Sequence, residues 1–220
     1  MASNTLEYYI EGLLSCGATD PNSEIHHYLS PVDNTEIQQA LANLENIKDE
    51  KTTLRGSEKQ VWQGQQNYKI GKGFEKVIEV LFKSSRVLSV ATNVHSTTGE
   101  IDIVLSVKPL AQKVSFIGLR THILSEAKCH DKSPKSEWVT EMMGNLDQHG
   151  ADMGFIFVYC KPKKLEREFR QSIALSAAAK KFIVPIGKTQ FKKIAEGGKL
   201  LDVLQEQFVA SSTHSTALNV

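Results

Sequence analysis

Two short stretches of the chain carry charge where a core would ask for apolar residues. "GEIDIVL", residues 99–105, holds Asp102 among Ile101, Ile103 and Val104, and "ILSEAKC", residues 123–129, holds Glu126 and Lys128 behind Ile123 and Leu124. Both read as strands, and charges are seldom buried there without partners. Side chains two apart on a strand share a face, so Leu124, Glu126 and Lys128 point one way, while Asp102 points away from Ile101, Ile103 and Leu105. If the strands are neighbours, Asp102, Glu126 and Lys128 converge. Two adjoining carboxylates repel each other unless a proton or a cation sits between them. A hard divalent ion with oxygen ligands, Mg²⁺ with Mn²⁺ able to substitute, meets that need and usually retains waters. The lysine ammonium could orient such a water. Glu75 or Glu79, four apart on one side of the upstream helix, could complete the coordination shell.

These residues need a scaffold, and the pattern from Gly73 onward supplies one. "GFEKVIEVLFKSS" places Phe74, Val77, Ile78, Leu81 and Phe82 on one helical stripe. Strands are expected around "RVLSVATN", "GEIDIVLSV" and "THILSEAKC", with "VSFIGL" a further extended stretch rich in β-branched and aromatic residues, then a helix over "SEWVTEMMGNLDQHG" ending at Gly150. "MGFIFVYC" reads as a strand buried on both faces, "KKLEREFRQSIALSAAAKK" as a helix, "FIVPIG" as a strand, and "FKKIAEG" and "LLDVLQEQF" as helices. The order α-β-β-β-α-β-α-β-α implies an α/β fold, a mixed sheet with helices on both sides. Upstream, residues 1–60 form an acidic helical region. "NTLEYYIEGLLSCG" has helical spacing, and "DNTEIQQALANLENI" opens on a capping-box pattern from Asp33 to Glu36. The polar stretch 48–72, with glycines at 56, 64 and 71, suggests a boundary, so the main domain is expected over 71–208 with a flexible tail over 209–220.

The acid on the first helix, the Asp on the second strand and the Glu-x-Lys on the third resemble the signature of the PD-(D/E)xK nuclease superfamily. Here they read as Glu75 in "GFEKVIEVLF", Asp102 in "GEID", and Glu126-Ala127-Lys128 in "SEAK". The order αβββαβ matches that family's restriction-endonuclease-like core, and "GADMGFIFV" looks most like its Mrr-type branch. The resemblance covers about residues 71–190. It implies a Mg²⁺-dependent endonuclease acting on DNA, with Asp102, Glu126, the Ala127 carbonyl and Glu75 around the ion and Lys128 positioning the attacking water. It prefers Glu75 over Glu79, implies restriction or defence against foreign DNA as the role, and makes a homodimer the expectation for cutting two strands. The 24 positions between Asp102 and Glu126 make a long hairpin connection, with room for an inserted element.

Charge is unevenly spread. Residues 1–60 hold ten acids against four bases, and residues 107–199 hold seventeen Lys and Arg against nine Asp and Glu. The basic block suits a polyanion, and Lys132, Lys135, Lys161, Lys163, Lys164 and Arg167 are its candidate phosphate contacts. The acidic helices could dock a protein partner. Three cysteines without CxxC spacing speak against a disulfide framework or a structural zinc site. No basic leader or membrane-length apolar run is evident, so a cytoplasmic protein without membrane association is expected. P-loop, GxSxG and HExxH patterns are missing. Two other readings use the same residues: a repair or junction-resolving nuclease, and an inactive nuclease-fold module for DNA binding or assembly.

Overall fold

The computed structural model describes residues 21–96, 99–118, 120–129, 133–160 and 167–213. Three helices come first: α1 (Pro21–Leu29), α2 (Asn34–Asp49) and α3 (Gly56–Phe82). The capping reading of α2 holds, since Asp33 accepts the Thr35 and Glu36 amides at 2.9 and 3.1 Å. The helix "NTLEYYIEGLLSCG" lies outside the described residues.

A five-stranded sheet follows in the order β1-β2-β3-β4-β5: β1 (Leu88–Ser96), β2 (Gly99–Val107), β3 (His122–Lys128), β4 (Met153–Val158) and β5 (Phe182–Ile186). The first three strands pair antiparallel, and β3, β4 and β5 run parallel, so the sense changes at β3. The parallel connections carry α4 (Ser136–Gln148) and α5 (Arg167–Ala178), and α6 (Lys188–Ala195) and α7 (Leu200–Ser212) close the chain. This is an α/β architecture, a mixed sheet flanked by helices on both faces.

Each sheet face has its own core. On one, Phe74, Val77, Ile78 and Leu81 of α3 pack with Ile103, Leu105, Phe155, Phe157 and residues of α6 and α7. On the other, Trp138, Val139, Met142 and Leu146 of α4 and Phe169 and Ile173 of α5 cover Leu124, Ile156, Val158 and Ile183. All six residues of β4 are buried, as a central strand covered twice requires. Gly154 is needed there: a Cβ would sit 2.7 Å from Met142 Sδ.

Three expectations need correction. The polar stretch before Gly73 is not a linker, because α3 starts at Gly56 and runs 27 residues. Its middle is rich in Gln and lacks an apolar stripe, so periodicity could not reveal it. "VSFIGL" is not a strand. A 3-10 helix, Pro109–Lys113, and a turn over 115–118 fill the connection, burying Val114, Phe116 and Ile117 against the core. Gly118, at φ +60°, bends the chain back, and Arg120 clamps it by donating to both carboxylate oxygens of Asp152 at 2.7 and 2.9 Å. The tail expected from 209 is helical as far as Ser212.

The N-terminal helices share the main core, with Leu29, Ile37 and Leu44 fully buried in it. α2 lies so close on α3 that a Cβ at Gly73 would stand 3.2 Å from Ile47 and 3.3 Å from Leu44. No helix among the described residues is long and apolar enough to cross a membrane.

Candidate active site

The β2–β3 register pairs Leu105 with Ile123, Val104 with Leu124 and Ile103 with Ser125. The same register carried one step past that last pair brings Asp102 beside Glu126, where the side chains are half-buried. The Ala127 amide donates to Asp102 Oδ2 at 3.2 Å, fixing that carboxylate against β3. In an extended strand a residue's N–H and C=O leave on the same side, so the Ala127 carbonyl also faces the Asp102 side. Lys128 Nζ donates to Glu126 Oε1 at 2.5 Å.

The Glu126 side chain is only 24% exposed. Burial pushes its carboxyl above the usual carboxylate range, the Lys128 bond opposes that, and the Asp102 charge pushes it up again. Asp102 lies near enough for its charge to disfavour ionisation of Glu126. A proton is thus one answer to the repulsion between them, and a cation is the other.

The donor set fits a hard divalent ion: two carboxylates and a backbone carbonyl, all oxygen, converge beside a lysine. Among the described residues no group of three or more His, Cys, Asp and Glu side chains gathers at one point. Glu75 accordingly stands apart from the pair. Its carboxylate receives Lys72 Nζ at 2.8 and 3.1 Å and Asn93 Nδ2 at 3.3 Å, while Lys72 also donates to Asn93 Oδ1 at 2.8 Å. Asn93 has φ +52° and is skipped in the β1–β2 ladder, where the register would set it opposite Asp102. Through Asn93, Glu75 is tied to the β1 position that the register sets beside Asp102.

Why Glu75 is held there follows from its neighbour. Phe74 is fully buried, with ring centroids 5.6 Å from Tyr159 and 5.5 Å from Phe191, so the helix cannot rotate without opening the core. Glu79 faces outward and pairs with Lys76 at 2.9 Å. Of the two helix acids, Glu75 is the one turned toward the sheet.

Lys72 and Asn93 were missed in the sequence. A lysine three residues before the helix acid was a usable hint; nothing local marked Asn93 beyond that residue type's tolerance of left-handed backbone. Of the candidate phosphate contacts, Lys135 is exposed before α4 and pairs with Glu137 at 3.4 Å, and Arg167 is exposed at the start of α5. Lys132, Lys161, Lys163 and Lys164 lie outside the described residues.

A second polar cluster adjoins this one through the backbone. The Tyr159 amide donates to the Lys128 carbonyl at 2.9 Å, and its hydroxyl donates to Glu45 Oε1 at 2.8 Å. Lys188 forms an ion pair with Glu45, and Lys188 and Lys48 stand 4.8 and 5.1 Å from the Tyr159 ring centroid. Burial and the Glu45 charge push the Tyr159 hydroxyl well above its ordinary range, so it remains a neutral donor. Glu45 falls below the usual carboxylate range, because the lysines and Tyr159 together outweigh its partial burial.

No protein-family model matches the chain, and no curated protein sequence matches it.

Proposed function

We propose that this chain is a Mg²⁺-dependent endonuclease of the restriction-endonuclease-like PD-(D/E)xK type, hydrolysing DNA phosphodiester bonds in defence against foreign DNA. One observation carries the reading: Asp102 is held at 3.2 Å by the amide of Ala127, the residue next to Glu126 on β3, and Lys128 is bonded to Glu126 at 2.5 Å. Asp102, Glu126 and the Ala127 carbonyl would hold the ion. The bound ion would polarise a phosphate oxygen and lower the pKa of a coordinated water.

The chain's own groups do the rest. The Ala127 amide keeps Asp102 in one orientation. Lys128, beside Glu126, would orient the attacking water and offset charge developing on the phosphate. Glu75, tied to Lys72 and Asn93, steadies β1 where it faces Asp102.

Incubation of supercoiled plasmid with the protein, with and without Mg²⁺, tests this directly. Nicking or linearisation that requires the ion and disappears in Asp102→Asn is the expected result. A well-folded wild-type protein that leaves supercoiled, relaxed and single-stranded DNA intact in Mg²⁺ and in Mn²⁺ overturns it.

A further inference from the structure

We infer that the face of α3 leading away from Glu75 is a binding track for an unpaired stretch of nucleic acid, with Tyr68 as its stacking platform. The inference rests on the nuclease reading for its partner and adds a substrate class to it.

The face is continuous with the site. Tyr68 and Glu75 are seven residues apart, two helical turns, and so share one side about 10 Å apart along the axis. Lys72 lies between them, its Nζ 6.0 Å from the Tyr68 ring centroid and bonded to Glu75 and Asn93. An unbroken run of contacts therefore joins the outer helix to the position opposite Asp102.

The outer helix gives the core no apolar side chain, and it touches the body through Gln66, whose amide donates to the Ile47 carbonyl. From Gly56 to Lys69 only Trp62 and Gln66 are even partly covered, and Tyr68 is 68% exposed. Its charge suits one partner. From Lys59 through Phe74 there is no Asp or Glu, but there are three lysines (Lys59, Lys69 and Lys72) and a run of Gln and Asn. Lys69 pairs with Glu50 only at 3.4 Å with both side chains half exposed, a contact a phosphate could readily displace.

An aromatic ring beside lysines binds nucleic acid by stacking, and stacking needs a base that is not already paired within a duplex. The glycines agree with this. Gly64 and Gly71 flank Tyr68 on the same side, and a Cβ at either would meet nothing within 4 Å. Each weakens an exposed helix with no packing reason, and each leaves the backbone open to close approach.

The test is fluorescence anisotropy in EDTA with a labelled single-stranded oligonucleotide and its duplex. Tyr68→Ala should weaken single-strand binding roughly ten-fold or more while Tyr68→Phe keeps it, and duplex affinity should not move. Gly64→Leu should raise the melting temperature and still weaken single-strand binding, a combination that a purely structural role cannot give. Unchanged single-strand binding in Tyr68→Ala, or a wild-type protein that binds only duplex, overturns the track. Tyr68-dependent binding by a protein that cuts nothing supports the track and overturns the nuclease reading. Mg²⁺-dependent cutting by a protein whose Tyr68→Ala form binds single strands normally does the reverse.

Discussion

Asp102 lies one residue past the last pair of the β2–β3 ladder, and the strand that carries Glu126 also supplies the amide that holds it. The two acids are therefore unequal. Asp102 is fixed by a backbone donor, whereas Glu126 is buried, raised in pKa and held by a flexible lysine.

Replacing Asp102 by Asn keeps an acceptor for the Ala127 amide but deletes the charge. Cleavage should fall by about two orders of magnitude or more, with the melting temperature close to wild type. Asp102→Ala should be less stable by about 1–3 kcal/mol, because it leaves the amide without its acceptor. Thermal melts and plasmid nicking on the same preparations check both.

Ion binding should be linked to pH through Glu126. Its raised pKa means that the folded protein keeps the carboxyl proton to higher pH than an exposed glutamate would. A divalent ion must displace that proton, so affinity should weaken as pH falls through the raised value, and binding should release a proton. Mn²⁺ calorimetry in two buffers of different ionisation enthalpy measures the release. Equal heats in both buffers would show that Glu126 is already ionised or takes no part.

Lys128→Met keeps much of the stem and removes the ammonium. Turnover should be lost while Mn²⁺ or Ca²⁺ still binds, since the lysine stands beside the acids without ligating. Loss of its bond should also raise the Glu126 pKa further, shifting the pH dependence of ion binding upward. Near wild-type cutting by this variant would reduce Lys128 to an ordinary half-buried ion-pair partner.

Asn93 couples a backbone requirement to a side-chain one, and two substitutions separate them. Asn93→Gly accepts φ +52° but cannot bond Glu75, and Asn93→Ala loses both. Asn93→Ala should be about 1 kcal/mol less stable than Asn93→Gly, roughly 2–4 °C for a chain of this size. Both should lose about ten-fold in activity if Glu75 must be anchored. An Asn93→Gly enzyme with full activity would assign Asn93 to the turn of β1 alone.

The parts legible in the sequence were those governed by local alternation. Period two put Asp102 apart from Ile103 and Leu105, and Glu126 and Lys128 together; the neighbouring strands then followed from α/β order. The unread parts depend on distant contacts. The Glu75–Asn93 link joins a helix to a strand 18 residues away. "VSFIGL" has a strand's composition but is buried as a turn, because its apolar residues cap the core instead of pairing. The outer half of α3 has only scattered apolar residues, Val61, Trp62 and Tyr68, that form no helical stripe, so no periodicity betrayed it.

The Glu45–Tyr159–Lys188 cluster has a consequence for how this chain can be divided. Cutting between residues 50 and 71 would strip the Tyr159 hydroxyl and Lys188 of their shared acceptor, uncover the apolar wall facing Leu44 and Ile47, and sever α3 ahead of Phe74. The helices before the sheet are a keystone and not a detachable module: the fold around β2 and β3 depends on a segment that lies entirely upstream of them.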